Sequence, residues 1–177
     1  MKKTLILKGF AMMLAFVFTA TMSQAQDGAK PSPAKTATGK AGGANITINY
    51  SAPSVKGRKI FGDLVPFDKV WRAGANEATI FETDKDITIE GKKLPAGKYS
   101  LYALPGASEW SFIFNSQTGQ WGIKRGGETS KDASKDVLTV KAKPAKSASM
   151  TEVMAYEITP KGFVLRWENT EVPVAIK

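Results

Sequence analysis

Apolar and polar residues alternate with a period of two along most of this chain. Ile46, Ile48 and Tyr50 alternate with Thr47 and Asn49, and Ile87 and Ile89 with Thr88 and Glu90. Leu138, Val140 and Ala142 alternate with Thr139 and Lys141; Phe163, Leu165 and Trp167 alternate with Val164, Arg166 and Glu168. Val172, Val174 and Ile176 repeat the spacing near the end. A period of two places one set of side chains on one face of a strand. Ala78 to Thr83, Tyr99 to Leu104 and Trp110 to Asn115 are apolar at successive positions, as strands covered on both faces are. Turn-forming clusters separate these runs: Glu90-Gly91-Lys92-Lys93, Leu104-Pro105-Gly106, Asn115 to Gly119, Gly126-Gly127 and Pro160-Lys161-Gly162. No helical stripe is sustained. Ile60 to Val70 has room for one turn of helix, limited by Pro66. The pattern predicts an all-β fold, an antiparallel β-sandwich or jelly roll of about nine short strands.

The first 43 residues break the pattern. Lys2, Lys3 and Lys8 precede an apolar run of 11 residues, Phe10 to Ala20, and Ser23-Gln24-Ala25 supplies small residues before a cleavage point. This predicts a secretory signal peptide over 1–25. The run is about half the ~20 residues that cross a bilayer, so the mature chain is expected to have no membrane span. The chain contains no Cys, which excludes a lipid-anchored lipoprotein. The expected location is the periplasm or beyond. Gln26 to Gly43 holds Ala, Lys, Gly, Pro, Ser and Thr but no large apolar residue, and predicts a flexible linker. Residues 44–177 are then one folded domain, large enough at ~130 residues to form a core without disulfides. The net charge of +9 includes the three signal lysines, and the remaining basic residues are scattered. Nucleic acid is not an expected partner.

Composition removes several chemistries. With no His and no Cys, neither Ser-His-Asp nor Cys-His nucleophiles can form, and the common zinc ligand sets are gone. Asp84-Lys85-Asp86 lacks the rest of a calcium loop. Neither Gly126-Gly127-Glu128-Thr129-Ser130-Lys131 nor Ala73-Gly74-Ala75 has phosphate-loop spacing. No metal and no cofactor is expected.

Carboxylates, Arg, amides, hydroxyls and aromatics remain, and they concentrate in Val70-Trp71-Arg72-Ala73-Gly74-Ala75-Asn76-Glu77-Ala78-Thr79-Ile80-Phe81. Two readings of this segment stand. As a pocket, Arg72 donates to a carboxylate, sulfate or phosphate, and Asn76, Glu77 and Thr79 contribute polar contacts. As a latch, Arg72 pairs with Glu77 or bonds to loop carbonyls, Asn76 closes a turn, Gly74 takes a positive φ and Trp71 joins the core. Arg58 and Trp121 are further ligand candidates, Trp121 as a platform for a sugar ring.

With Ser54-Val55-Lys56-Gly57-Arg58, Leu64-Val65-Pro66-Phe67 and Leu94 to Leu101, this segment resembles the bacterial family of unknown function DUF2911. The resemblance covers most of residues 45–176 and implies no activity. Three functions therefore remain open. The first is non-catalytic binding of a small polar or anionic ligand or an envelope glycan. The second is a His-independent glycoside hydrolase with Glu77 as acid or base, and the third is a protein-interaction module.

Overall fold

A computed structural model describes residues 30–177; the signal peptide expected over 1–25, and Gln26 to Ala29 of the expected linker, lie outside the described residues. Ten strands form: β1 (Ala34–Ala41), β2 (Ala44–Ser51), β3 (Ala75–Thr83), β4 (Ile87–Ile89), β5 (Lys92–Leu94), β6 (Gly97–Leu104), β7 (Trp110–Asn115), β8 (Asp136–Ala142), β9 (Ala145–Thr159) and β10 (Gly162–Ala175). One turn of 3-10 helix, Ala133–Lys135, precedes β8. Ile60 to Val70 holds turns and no helix. Among the described residues no helix is long and apolar enough to cross a membrane.

Six strands form one antiparallel sheet in the order β1-β2-β3-β6-β7-β8. The β9–β10 hairpin lies across its inner face, and the small β4–β5 hairpin closes one end. The period-two residues do what their spacing predicts. Ile46, Ile48, Phe81, Leu101, Phe112 and Phe114 of the sheet are wholly buried against Met154, Phe163, Leu165 and Trp167 of the hairpin. Phe163 is central, within 5.5–6.1 Å of the rings of Phe112, Phe81 and Tyr156. Ala78, Tyr102 and Ile113 form a separate patch on the outer face.

Two expectations need correction. Residues 34–41 are not linker: β1 pairs with all of β2, from Ala34↔Ser51 to Ala41↔Ala44. Its small side chains are the reason. Gly39 lies so close to β9 that a Cβ there would meet Ile158 Cγ2 at 2.8 Å. The strand is held by backbone pairing and close approach, neither of which needs large apolar residues. Nor are all the strands short, since β9 has 15 residues and β10 has 14. Phe163–Trp167 and Val172–Ile176 read as two runs because β10 bends between them. The bend falls at Glu168, whose φ is 56° and where the register shifts twice. Beyond it the chain returns to the hairpin's own tip, where the Ile176 N–H donates to the Lys161 carbonyl at 2.9 Å. Lys177 and Thr88 exchange two hydrogen bonds of 2.8 Å, which tie this returning end to β4.

Candidate functional site

The segment Val70–Thr79 is a wedge driven into the sheet. Trp71 pairs with Ala103 of β6 through bonds of 2.7 and 2.8 Å, taking the place that β3 occupies further along. The chain then turns sharply into β3, with Ala73 at φ 52° and Asn76 at φ 57°. Such left-handed conformations persist in non-glycine residues only where surrounding bonds hold them. Here the bonds are explicit. The Ala73 carbonyl accepts from Thr79 Oγ1 and from the Tyr156 hydroxyl, each at 2.9 Å. Burial pushes the Tyr156 phenol well above its ordinary pKa, so it stays a donor. Trp71 Nε1 donates to the Gly74 carbonyl at 3.0 Å. Gly74 supplies room and not a positive φ: a Cβ there would lie 2.7 Å from Thr79 Oγ1.

These contacts divide the sequence-predicted site residues. Thr79 is wholly buried with its hydroxyl committed, so it cannot meet a ligand. Asn76 is 7% exposed and donates its amide to the Ser32 carbonyl at 3.0 Å. Both belong to the latch. Their residue types suit it, because a bulged strand leaves carbonyls that only side chains can satisfy. Arg58 is placed apart: it donates to the carbonyls of Val55 (3.0 Å) and Ser54 (2.6 Å), closing its own turn. Among the described residues, no hydrogen bond or ion pair joins it to Arg72, Glu77 or Trp121.

Arg72, Glu77 and Trp121 do come together, on the outer face. The Arg72 guanidinium lies 5.3 Å from the Trp121 ring centroid and makes a long 3.4 Å contact to the Trp121 carbonyl. Half-burial lowers its pKa, and the nearby Glu77 charge opposes that shift. Glu77 pairs with Lys30, whose ammonium lies 5.8 Å from the same Trp121 ring. The Lys30 bond holds the Glu77 carboxyl below its ordinary pKa, with Arg72 adding to the effect. Lys30 was not legible as a site residue. It sits in a polar stretch, some 47 residues from Glu77, and periodicity carries no signal for such a contact.

Gln120 positions Trp121. Its amide donates to the Tyr102 hydroxyl (2.9 Å) and to Ser100 Oγ (3.2 Å), pinning the loop to the outer face of β6. Gly122 then lies against Arg72 and Ala78, where a Cβ would come within 2.9 Å of Arg72 Cβ. Beside this contact the two segments part and a cleft of about 790 Å³ opens. Leu64, Val65, Val70, Trp71 and Ile123 give it apolar walls, and Asp68, Lys69 and Glu128 also line it. Trp71 is rigid, since its ring stacks on buried Trp167 at 6.0 Å and 20°. Sequence reasoning missed this cleft, because residues ~55 positions apart build it. Among the described residues, no group of three or more acidic side chains could hold a metal ion.

A family model described as "Protein of unknown function (DUF2911)" matches residues 32–176. The chain belongs to this family. The DUF2911 match begins before Ala34 and so takes in β1, as the sheet does. No curated protein and no solved structure matches the chain.

Acid should loosen the DUF2911 fold at its surface. Glu77 (bonded by Lys30), Asp84 (by Asn45) and Asp132 (by Ser134) all have lowered pKa values. A depressed folded-state pKa means that the unfolded chain binds the proton more readily. The stability is therefore present above the ordinary values of 4.5 and 3.8 and is lost as pH falls through the folded values. Melting temperature should hold flat from neutrality to about pH 5 and fall below it. Glu77→Gln should make the fall slightly shallower, as melting curves across that range would show.

Proposed function

We propose that this chain is an exported, non-catalytic domain that binds a small organic anion, with Arg72 reading the acid group and the adjoining cleft taking the body. One observation carries the reading. The Arg72 guanidinium is half-buried and spread on Trp121, yet no carboxylate lies within ion-pair distance of it among the described residues. A planar fork of donors in that state suits a carboxylate, sulfate or phosphate. The cleft falls in the size range of small-molecule sites, about 300–1,000 Å³. Its apolar wall at Trp71 suits a ring. Acidic envelope glycans and aromatic acids both have this combination of ring and charge. Lys2, Lys3 and the apolar run that follows support an extracytoplasmic setting.

The hydrolase reading is weaker. A glycosidase needs one carboxyl kept protonated at working pH, usually with a second carboxylate near it. Glu77 instead faces Lys30 and Arg72, and both hold it ionised.

Calorimetric titration with aromatic carboxylates, sugar acids and sugar phosphates tests the proposal. The wild type should bind at least one of them, and Arg72→Lys should weaken that binding tenfold or more. Its melting temperature should stay within about 2 °C, because surface substitutions move stability by ~0.5 kcal/mol. Equal binding by both proteins, or no binding by the wild type, overturns the proposal.

A further inference from the structure

We infer that the acid read by Arg72 belongs to a zwitterion of the amino-acid type, and that Glu77 with the Trp121 ring forms its ammonium subsite, held in this structure by Lys30 in cis. The inference rests on the anion-binding role of Arg72 and adds the second pole.

The observation is the placement of Lys30. Its ammonium pairs with Glu77 while lying 5.8 Å from the Trp121 ring centroid. A carboxylate and an indole face are the two surfaces that an alkylammonium seeks, one for a charge-assisted hydrogen bond and the other for its quadrupole. Arg72 lies on the same ring at 5.3 Å. One exposed indole therefore carries a group that reads an acid and, next to it, a group that already holds an amine.

Lys30 is delivered there by its own backbone. The Ser32 carbonyl accepts from Asn76 Nδ2 at 3.0 Å, and the Pro33 carbonyl accepts from the Ala52 N–H at 2.8 Å. Adjacent motif residues thus grip this segment twice, the Asn76 side-chain amide at the Ser32 carbonyl and the Glu77 carboxylate at the Lys30 ammonium. The Lys30 side chain itself is 55% exposed and has no acceptor to offer Arg72. A ligand carrying both charges can satisfy Glu77 and Arg72 together, which Lys30 cannot. Lys30 is then a tethered competitor that an amine displaces.

Three probes separate the poles: phenylalanine, N-acetylphenylalanine (acid only) and phenylalaninamide (amine only), with a parallel set built on alanine for a small body. They are titrated into the wild type and Lys30→Met, followed by tryptophan fluorescence and calorimetry. Lys30→Met should bind the free amino acid about five- to tenfold more tightly than the wild type does, and by the same factor more tightly than it binds the acetylated form. Adding Glu77→Gln should erase that advantage and leave the acetylated form's affinity unchanged. Equal affinity of Lys30→Met for the free and acetylated forms removes the ammonium subsite but leaves the Arg72 reading intact. Equal affinity for the amide and the free acid removes both readings, whereas the absence of binding by any of these probes removes the zwitterion and leaves the Arg72 reading to the sugar acids and sugar phosphates.

Discussion

Replacing Gly162 with alanine is expected to prevent stable folding, at a cost above about 4 kcal/mol, the range reserved for breaking a special backbone site. Gly162 opens β10 at φ 141°, a conformation that side-chain-bearing residues rarely adopt. Sterics are the larger problem. A Cβ there would lie 1.9 Å from the Val174 carbonyl oxygen, 2.9 Å from the Ile176 nitrogen and 3.0 Å from the Ala175 Cα. All three are backbone atoms and cannot rotate away. They belong to the end of β10 and the residue after it, where the returning chain crosses the strand's own beginning. Making room means breaking the Ile176–Lys161 bond and lifting the chain end from β4. Gly91→Ala is the control. Its φ is also positive, at 80°, but nothing lies within 4 Å of the added carbon. It should lose only the ~1–2 kcal/mol of a left-handed alanine. Soluble yield and thermal melts of the two variants decide the matter. Similar melting temperatures would mean that the chain end does not close on the hairpin as described.

The same crossing explains why some of the fold was legible from residue order and some was not. β2, β3, β6, β7 and β8 were readable because each buries one face or both, and their large apolar residues mark the pattern. β1 has no such residue, and the first third of β9, Ala145 to Ser149, buries only Ser147. Those stretches are strands because a neighbour's backbone pairs with them. β10 looked like two strands because Glu168 turns the chain without Gly or Pro. At the site, the concentration of polar residues in 71–79 was visible, but not which way each one faces. The left-handed Asn76 breaks the alternation, turning Asn76 inward and leaving Glu77 outward. Asn76 and Thr79 therefore hold the latch, while Arg72 and Glu77 of the same segment lie on the outer face. The cleft and Lys30 needed the third dimension.

Trp71 tests that division. Its ring stacks on Trp167 and meets Phe61 and Trp110 edge-on at 6.2 and 6.5 Å, so it anchors the wedge to the core. Trp71→Ala should cost about 3 kcal/mol, the low end for a large aromatic because the residue is only partly buried. For a domain of this size that corresponds to about 6–12 °C in melting temperature. Trp71→Phe keeps a ring in the stack but loses the Nε1 bond to Gly74, and should cost about 1 kcal/mol. Arg72, one residue on, lies on Trp121 and shares no hydrogen-bond partner with Trp71. If the buried latch and the half-buried Arg72–Trp121 pair are independent, Trp71→Phe and Arg72→Lys should be additive in stability to within about 0.5 kcal/mol. A larger coupling in the double-mutant cycle would show that Arg72 helps to hold the wedge. Its guanidinium would then be structural, and the case for an anion at Arg72 would fail without any ligand having to be found.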